Sequence, residues 1–156
     1  MPERLRRLES TFQRFPIYFI TTCTSERRPI LASDFVHARL IEFGNEGEQR
    51  GAWLGAYVLM PDHLHMFVAL DEERLTLSNW IKSLKNTLSK TLRSQSILPP
   101  HWQKGFFDHV LRSGDSYAEK WDYVRENPVR AGLVKEWSKW PLLGEIFDLE
   151  FRDDQV

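Results

Sequence analysis

The chain is predicted to be an α+β protein: a ferredoxin-like antiparallel sheet in the order β-α-β-β-α-β, with an added C-terminal helix that carries a tyrosine. Three observations predict it. Runs of β-branched and aromatic residues occur at Pro16–Thr24, Trp53–Met60 and His63–Leu70, the last two separated only by a Pro-Asp connector. Two longer stretches, after Ser33 and after Leu75, carry apolar residues at helical spacing. A length of 156 residues, with no internal repeat or low-complexity linker, gives one domain over 1–156 with a core over about 16–134.

The elements follow in order. The first strand, PIYFITTCT, has the composition of a half-buried pleated surface. Ser33-Asp34 opens the first helix, followed by Phe35, Val36, Ala38, Leu40, Ile41 and Phe43, and Gly44–Gly47 reads as the loop that ends it. Trp53–Met60 and His63–Leu70 form a hairpin around Pro61-Asp62. Leu77, Trp80, Ile81, Leu84 and Leu88 mark the buried stripe of a second helix over Leu75–Leu92, and Ile97-Leu98-Pro99-Pro100 stops it. Gly105–Arg112 reads as a fourth strand. Ser116-x-x-Glu119 is a capping box for the last helix, which should end near Asn127 because Pro128 disfavours helical geometry before it. From Trp137 onward the chain is Trp- and acid-rich and weakly patterned.

Bulk properties narrow the class. Cys23 is the only cysteine, which excludes an internal disulfide and a cysteine-based zinc site and fits a reducing, cytoplasmic setting. No apolar run is long enough to span a bilayer, and no membrane partner is expected. The formal net charge is −1, but charge is segregated. Between Trp80 and Gly105 stand Lys82, Lys85, Lys90, Arg93 and Lys104 without one acid, while the C-terminus is acidic. A local basic face is compatible with the slightly acidic total.

His63 and His65 stand two apart on the third strand, so both point to one face with Phe67, while Leu64, Met66 and Val68 form the opposite, core-facing set. Two imidazoles on one face can converge on one divalent cation, with Asn127, Asp62 and His109 as candidate further ligands. Nitrogen with oxygen ligands suits Mg²⁺, Mn²⁺ or Zn²⁺. The last helix puts Tyr117, Trp121 and Val124 on its buried stripe and Tyr123 about 100–120° away, with Asn127 one turn on. A phenol has a pKa of about 10 and needs a cation or base to become a nucleophile. An H-x-H pair alone also fits two surface histidines, and a helical tyrosine alone also fits a core-edge cover. Together they suggest a metal, a tyrosine nucleophile and a phosphodiester.

Those residues resemble a known family. His63-Leu64-His65 after Met60-Pro61-Asp62 is similar to the HUH motif of single-tyrosine transposases. Tyr123-x-x-x-Asn127-Pro128-Val129-Arg130-Ala131-Gly132-Leu133-Val134 resembles the nucleophile helix of REP-associated tyrosine transposases. Trp102-x-x-Gly105-Phe106-Phe107-Asp108-His109-x-x-Arg112 resembles the segment that precedes it in that subgroup. The resemblance implies cleavage and rejoining of single-stranded or hairpin DNA, with His63, His65 and Asn127 holding Mg²⁺ or Mn²⁺. It implies attack by Tyr123 to leave a 5′-phosphotyrosine and a free 3′-OH, with no nucleotide cofactor. It implies imperfect hairpins of repeated palindromic DNA as targets, and leaves monomer and homodimer open. Lys82, Lys85, Lys90 and Arg112 are expected phosphate contacts by charge, and Trp102 a stacker for an unpaired base. The stretch after Val134 departs from the family pattern. Two other readings are a domesticated protein that binds hairpin DNA without cutting, and a metal-dependent hydrolase of a small phosphodiester.

Overall fold

The computed structural model describes residues 15–112 and 117–149. Five strands form one sheet: β1 (Ile17–Cys23), β2 (Ala52–Leu59), β3 (His63–Leu70), β4 (Phe107–Val110) and β5 (Leu143–Glu145). Their spatial order is β4-β1-β3-β2-β5, and every neighbouring pair is antiparallel. The helices are α1 (Asp34–Glu46), α2 (Leu77–Ser94), α3 (Tyr117–Val124) and the single turn α4 (Asn127–Arg130). The α+β, ferredoxin-like expectation therefore holds, with one strand added at the β2 edge.

Register places the side chains. Thr21 lies opposite His65, and Cys23 opposite His63. The hairpin connector closes with Met60 N–H donating to the His63 carbonyl at 2.9 Å. Leu64, Met66 and Val68 face α1 and α2 and are buried with Ile20, Leu40 and Leu84. Phe67 and Ala69 face the other way and are buried with Ile17, Trp53, Tyr117 and Leu149. The sheet is thus covered on both faces near its middle: by α1 and α2 on one, by α3 and the C-terminal segment on the other. No helix among the described residues is long and apolar enough to cross a membrane.

Four sequence expectations shift. The Gly44–Gly47 stretch is not a loop, because α1 continues to Glu46 and Gly44 is buried. A Cβ on Gly44 would collide with Ile146 and Leu54, so close packing selects that glycine. The fourth strand is shorter than Gly105–Arg112. The last helix stops at Val124, and Asn127 instead opens α4 with Pro128 in its first turn, a position where proline's missing N–H costs nothing. The weakly patterned tail supplies β5 and buries Leu142, Phe147 and Leu149, so packing extends past Val134. The capping residue Ser116 lies outside the described residues.

What docks α3 on the sheet is one buried contact. Strand β2 changes register against β3 between Leu54 and Tyr57. In that irregularity the Ala56 N–H donates to the Tyr117 hydroxyl at 2.8 Å. Gly55 makes room for it: a Cβ there would stand 2.7 Å from the same hydroxyl. Burial, then the nearby Glu145 carboxylate, pushes the Tyr117 phenol well above its ordinary pKa, so it stays neutral. Its ring packs 4.5 Å from that of Phe67. Tyr117→Phe keeps the ring and orphans a buried N–H, so it should cost about 1–3 kcal/mol in chemical denaturation. It should also speed hydrogen exchange in α3; an unchanged midpoint and exchange pattern would contradict this docking role.

Candidate active site

His63 opens β3 and His65 follows on the same face, as the period of two requires. Their ring centroids lie 4.7 Å apart at 77°. Each Nδ1 is already engaged. Asp62 Oδ1 sits 2.8 Å from His63 Nδ1. A carboxylate only accepts, so Nδ1 carries the hydrogen and Nε2 is the ring nitrogen not engaged by Asp62. Thr21, placed across the ladder by register, has its Oγ1 2.7 Å from His65 Nδ1. With that Nδ1 engaged, the outer Nε2 of His65 is the nitrogen left for a ligand. Partners that orient the far nitrogen in this way are how proteins prepare histidines for metals.

Electrostatics agree. Burial, then the charges of His63, Arg130 and Arg27, lower the His65 pKa to about 3, so its imidazole is neutral at any physiological pH. Burial pushes the Asp62 carboxyl up, but hydrogen bonds and charges from His63 and Arg27 outweigh it and hold the group below its usual value. Arg27 donates its Nε–H to Asp62 Oδ2 at 2.9 Å. It is brought there by a short turn in which Glu26 and Arg27 both adopt left-handed backbone, φ 53° and 54°. Such conformations are uncommon outside glycine and concentrate at functional sites. Asp62 is committed to orienting His63, which removes it from the candidate ligands.

No group of three or more His, Cys, Asp or Glu side chains assembles among the described residues. His109 lies opposite Phe19 on β4, on the histidine face but two strands from His65, and joins no such group. The residues present fit a divalent cation held by the two imidazoles, with its other positions open to an amide oxygen, water and substrate oxygens.

Helix α3, which bears Tyr123, packs on the same face through Tyr117, Trp121 and Val124. Tyr117 and Val124 are buried, and Tyr123 is 66% exposed. Val124 packs with Val58 and Met60 and against Phe19, whose ring stacks on His65 at 5.4 Å. Lys120 places its Nζ 5.3 Å from the Phe19 ring on the same side. Beyond the break at Arg125-Glu126, Arg130 folds back, its guanidinium 4.0 Å over the Tyr123 ring. Arg130 Nη2 donates to the Tyr123 carbonyl at 2.8 Å and to Asn127 Oδ1. Arg130 is also one of the charges that depress His65, after burial and the charge of His63.

The expected DNA contacts separate. Lys82, Lys85 and Lys90 lie on α2, whose buried stripe packs on the sheet face opposite the histidines. Lys82 and Lys90 are exposed. Lys85 is not a free phosphate contact: its Nζ donates to the Gln103 and Gly105 carbonyls at 3.0 and 2.7 Å, and burial lowers its pKa. Trp102 is not an open stacking platform either. It packs against the core, and its Nε1–H is shared between the Lys85 carbonyl and Ser89 Oγ. Arg112 is exposed just past β4. Sequence reasoning missed Phe107, 70% exposed and opposite Thr21, hence on the histidine face. It also missed Thr21, Arg27 and Arg130. For Arg130 a signal existed, since positions 123, 127 and 130 recur at helical spacing.

Comparison with known proteins adds the family. Residues 16–127 match the family described as Transposase IS200-like. The chain is 31% identical over 88 residues to the REP-associated tyrosine transposase of Escherichia coli K12, a match covering 56% of this chain and 51% of that protein. The chain thus spans about half of that relative's length. A Haemophilus influenzae protein named as a candidate REP-associated tyrosine transposase is 24% identical, over 83% of this chain and 80% of its own length. The fold is similar to a solved structure of a REP-associated tyrosine transposase bound to a REP hairpin, with a TM-score of 0.64, 23% identity and coverage of 90% and 87% of the two chains.

The depressed pKa of His65 has a measurable consequence. The unfolded chain takes up a proton on this imidazole below about pH 6.5, and the folded chain does not until about pH 3. Its contribution to stability is therefore complete above pH 6.5 and is lost as pH falls toward 3, with a slope of order 1 kcal/mol per pH unit. His37, also lowered by burial, acts with the same sign. In metal-free buffer, denaturation midpoints should fall from pH 6.5 to 4, and His65→Gln should flatten that fall. An identical slope in the variant would contradict the burial of a neutral His65.

Proposed function

As the chain belongs to the IS200-like transposase family, we propose that it is a metal-dependent nickase and strand transferase acting on single-stranded DNA at hairpins. What supports this reading most is that the helix bearing Tyr123 packs on the sheet face that carries His63 and His65. A hairpin of REP type as the target follows from the names of its relatives.

His63 and His65, with Asn127 as third ligand, would hold Mg²⁺ or Mn²⁺. Such an ion, when bound, polarises a phosphodiester and offsets the charge that builds on its oxygens. The chain's own residues do the rest. Asp62 and Thr21 fix the two rings so that both Nε2 atoms point outward. Tyr123 Oη attacks phosphorus, the P–O3′ bond breaks, and the phenolic proton ends on the departing 3′ oxygen. The product is a 5′-phosphotyrosine and a free 3′-OH. Attack by a 3′-OH on that link reverses the sequence and joins strands without a nucleotide cofactor. Exposure of Tyr123 suits a nucleophile that must meet a polymer. Exposed Arg112, just past β4, offers a phosphate contact, and on the histidine side exposed Phe107 offers a face for an unpaired base, while Lys82 and Lys90 would meet phosphates only on the opposite layer.

A labelled single-stranded hairpin incubated with Mn²⁺ should yield a nicked product and a covalent protein–DNA band on a denaturing gel. Tyr123→Phe should remove the band and leave DNA binding intact. His63→Ala combined with His65→Ala should abolish divalent-dependent cleavage. Cleavage by the phenylalanine variant at the wild-type rate would favour hydrolysis without a tyrosine nucleophile. Retained activity in EDTA would contradict the metal role, and a mobility shift without product from either protein would favour a hairpin-binding protein that does not cut.

A further inference from the structure

We propose that Lys120 and Arg27 bind two different backbone phosphates of single-stranded DNA, one on each side of the phosphate lying over His63 and His65, so that the strand runs along β1. The inference rests on the reading above, in which the histidines mark the place where DNA is cut. It adds the path of the strand and the two residues that fix it.

Register lays these groups out in one line. Thr21 and Cys23 of β1 stand opposite His65 and His63, and Phe19 precedes them on the same face. The Phe19 ring stacks on that of His65 at 5.4 Å, and Lys120 places its Nζ 5.3 Å from the Phe19 ring centroid. At the other end Arg27 donates its Nε–H to Asp62 Oδ2 at 2.9 Å, with Nη2 3.3 Å from His63 Nδ1. The order along the strand is therefore Lys120, His65, His63, Arg27. Phe19 and Cys23 are roughly 14 Å apart at the rise of an extended chain, so the two cations address different phosphates.

Each cation keeps donors for an anion. Among the described residues the partner of the Lys120 ammonium is the π face of Phe19, which takes none of its hydrogen bonds. Asp62 takes the Nε–H of Arg27, and His63 Nδ1, whose hydrogen points to Asp62, cannot accept from Nη2. The outer edge of the guanidinium is left over, on a side chain that is 52% exposed. A phosphodiester oxygen is anionic and matches that planar fork. The turn that aims Arg27 is held from several sides. Thr24 N–H donates to the Asp62 carbonyl at 3.0 Å, Thr24 Oγ1 to the Arg28 carbonyl at 2.8 Å, and Ser25 N–H to the His101 carbonyl at 2.9 Å. These bonds sustain left-handed backbone at Glu26 and Arg27, a cost that chains keep where a site needs it. Phe107, opposite Thr21 on β4, flanks the line, so a base turned sideways from it meets an exposed ring.

The test is a set of double-mutant cycles between protein and DNA. The full chain carries Tyr123→Phe, so DNA is bound and not cut, and binding to a labelled single-stranded hairpin is read by fluorescence anisotropy. Single neutral methylphosphonates are scanned through the unpaired segment at the hairpin foot. Lys120→Gln should weaken binding about fivefold on all-phosphate DNA, and less than about twofold when one particular phosphate is neutral. Arg27→Gln should couple in the same way to a second phosphate, with at least one phosphate between the two. Its wider effect through Asp62 cancels within the cycle. Each substitution should also lower the slope of log Kd against log salt by about 0.7, which a merely structural loss would not do. In the wild-type protein with Mn²⁺, the bond cut should lie between the two coupled phosphates. Coupling of both residues to one phosphate, or cleavage outside the interval, overturns the proposal. The Lys120 arm does not depend on the Arg27 turn, so a Lys120→Gln variant that couples to no phosphate overturns it alone. Two separate couplings in a protein that never forms a covalent band would uphold the track and overturn the nickase reading.

Discussion

A single buried hydrogen bond decides where the tyrosine helix sits. The Tyr117 hydroxyl accepts from Ala56 N–H inside the β2 irregularity, and Gly55 leaves the space it occupies. Neither half works alone. Without the hydroxyl the irregular strand would bury an unpaired N–H, and with any side chain at Gly55 the phenol could not approach. Six residues further along, Tyr123 emerges exposed from the same helix. The docking contact and the exposed phenol are thus rigidly related through fewer than two helical turns.

The histidine pair depends on a second constraint of the same kind. Strand pairing puts Thr21 opposite His65, and the hairpin connector puts Asp62 beside His63. Each ring is therefore oriented by its inner nitrogen. Burial adds that His65 carries no charge of its own to repel a cation. The proposed site is two-sided: rings held on a stiff sheet, and a tyrosine on a helix packed against it, followed by a separate turn that carries the amide and the arginine. Lys82 and Lys90, on the far layer, belong to a different surface from this centre.

Much of this was readable in advance, for physical reasons. Alternation along β3 separates His63 and His65 from Leu64 and Met66 without any knowledge of partners, because pleating alone sets the faces. The hairpin around Pro61-Asp62 is local and equally visible. What escaped depends on tertiary contacts. Gly44 reads as a helix stop, yet it is a packing glycine under Ile146 and Leu54. Strand β5 is three residues long and pairs with β2 across more than eighty positions, so no local pattern marks it. Lys85 and Trp102 look like DNA ligands from charge and aromaticity. Their polar atoms are spent on the loop over Gln103–Gly105 and on Ser89, which only the folded arrangement reveals. Thr21 and Arg27 gain their roles from register and from a left-handed turn, and neither leaves a motif.

The central claim is that the Tyr123 phenol and a cation on His63 and His65 share one side of the sheet. The chain has four tyrosines, and fluorine NMR of protein labelled with 3-fluorotyrosine resolves them by substitution. Titrating Mn²⁺ should broaden the Tyr123 resonance strongly and spare Tyr57, which lies on the opposite layer bonded to His37. His63→Ala should abolish the effect. Broadening of Tyr57 ahead of Tyr123, or none at Tyr123 while Mn²⁺ binds through the histidines, would contradict it.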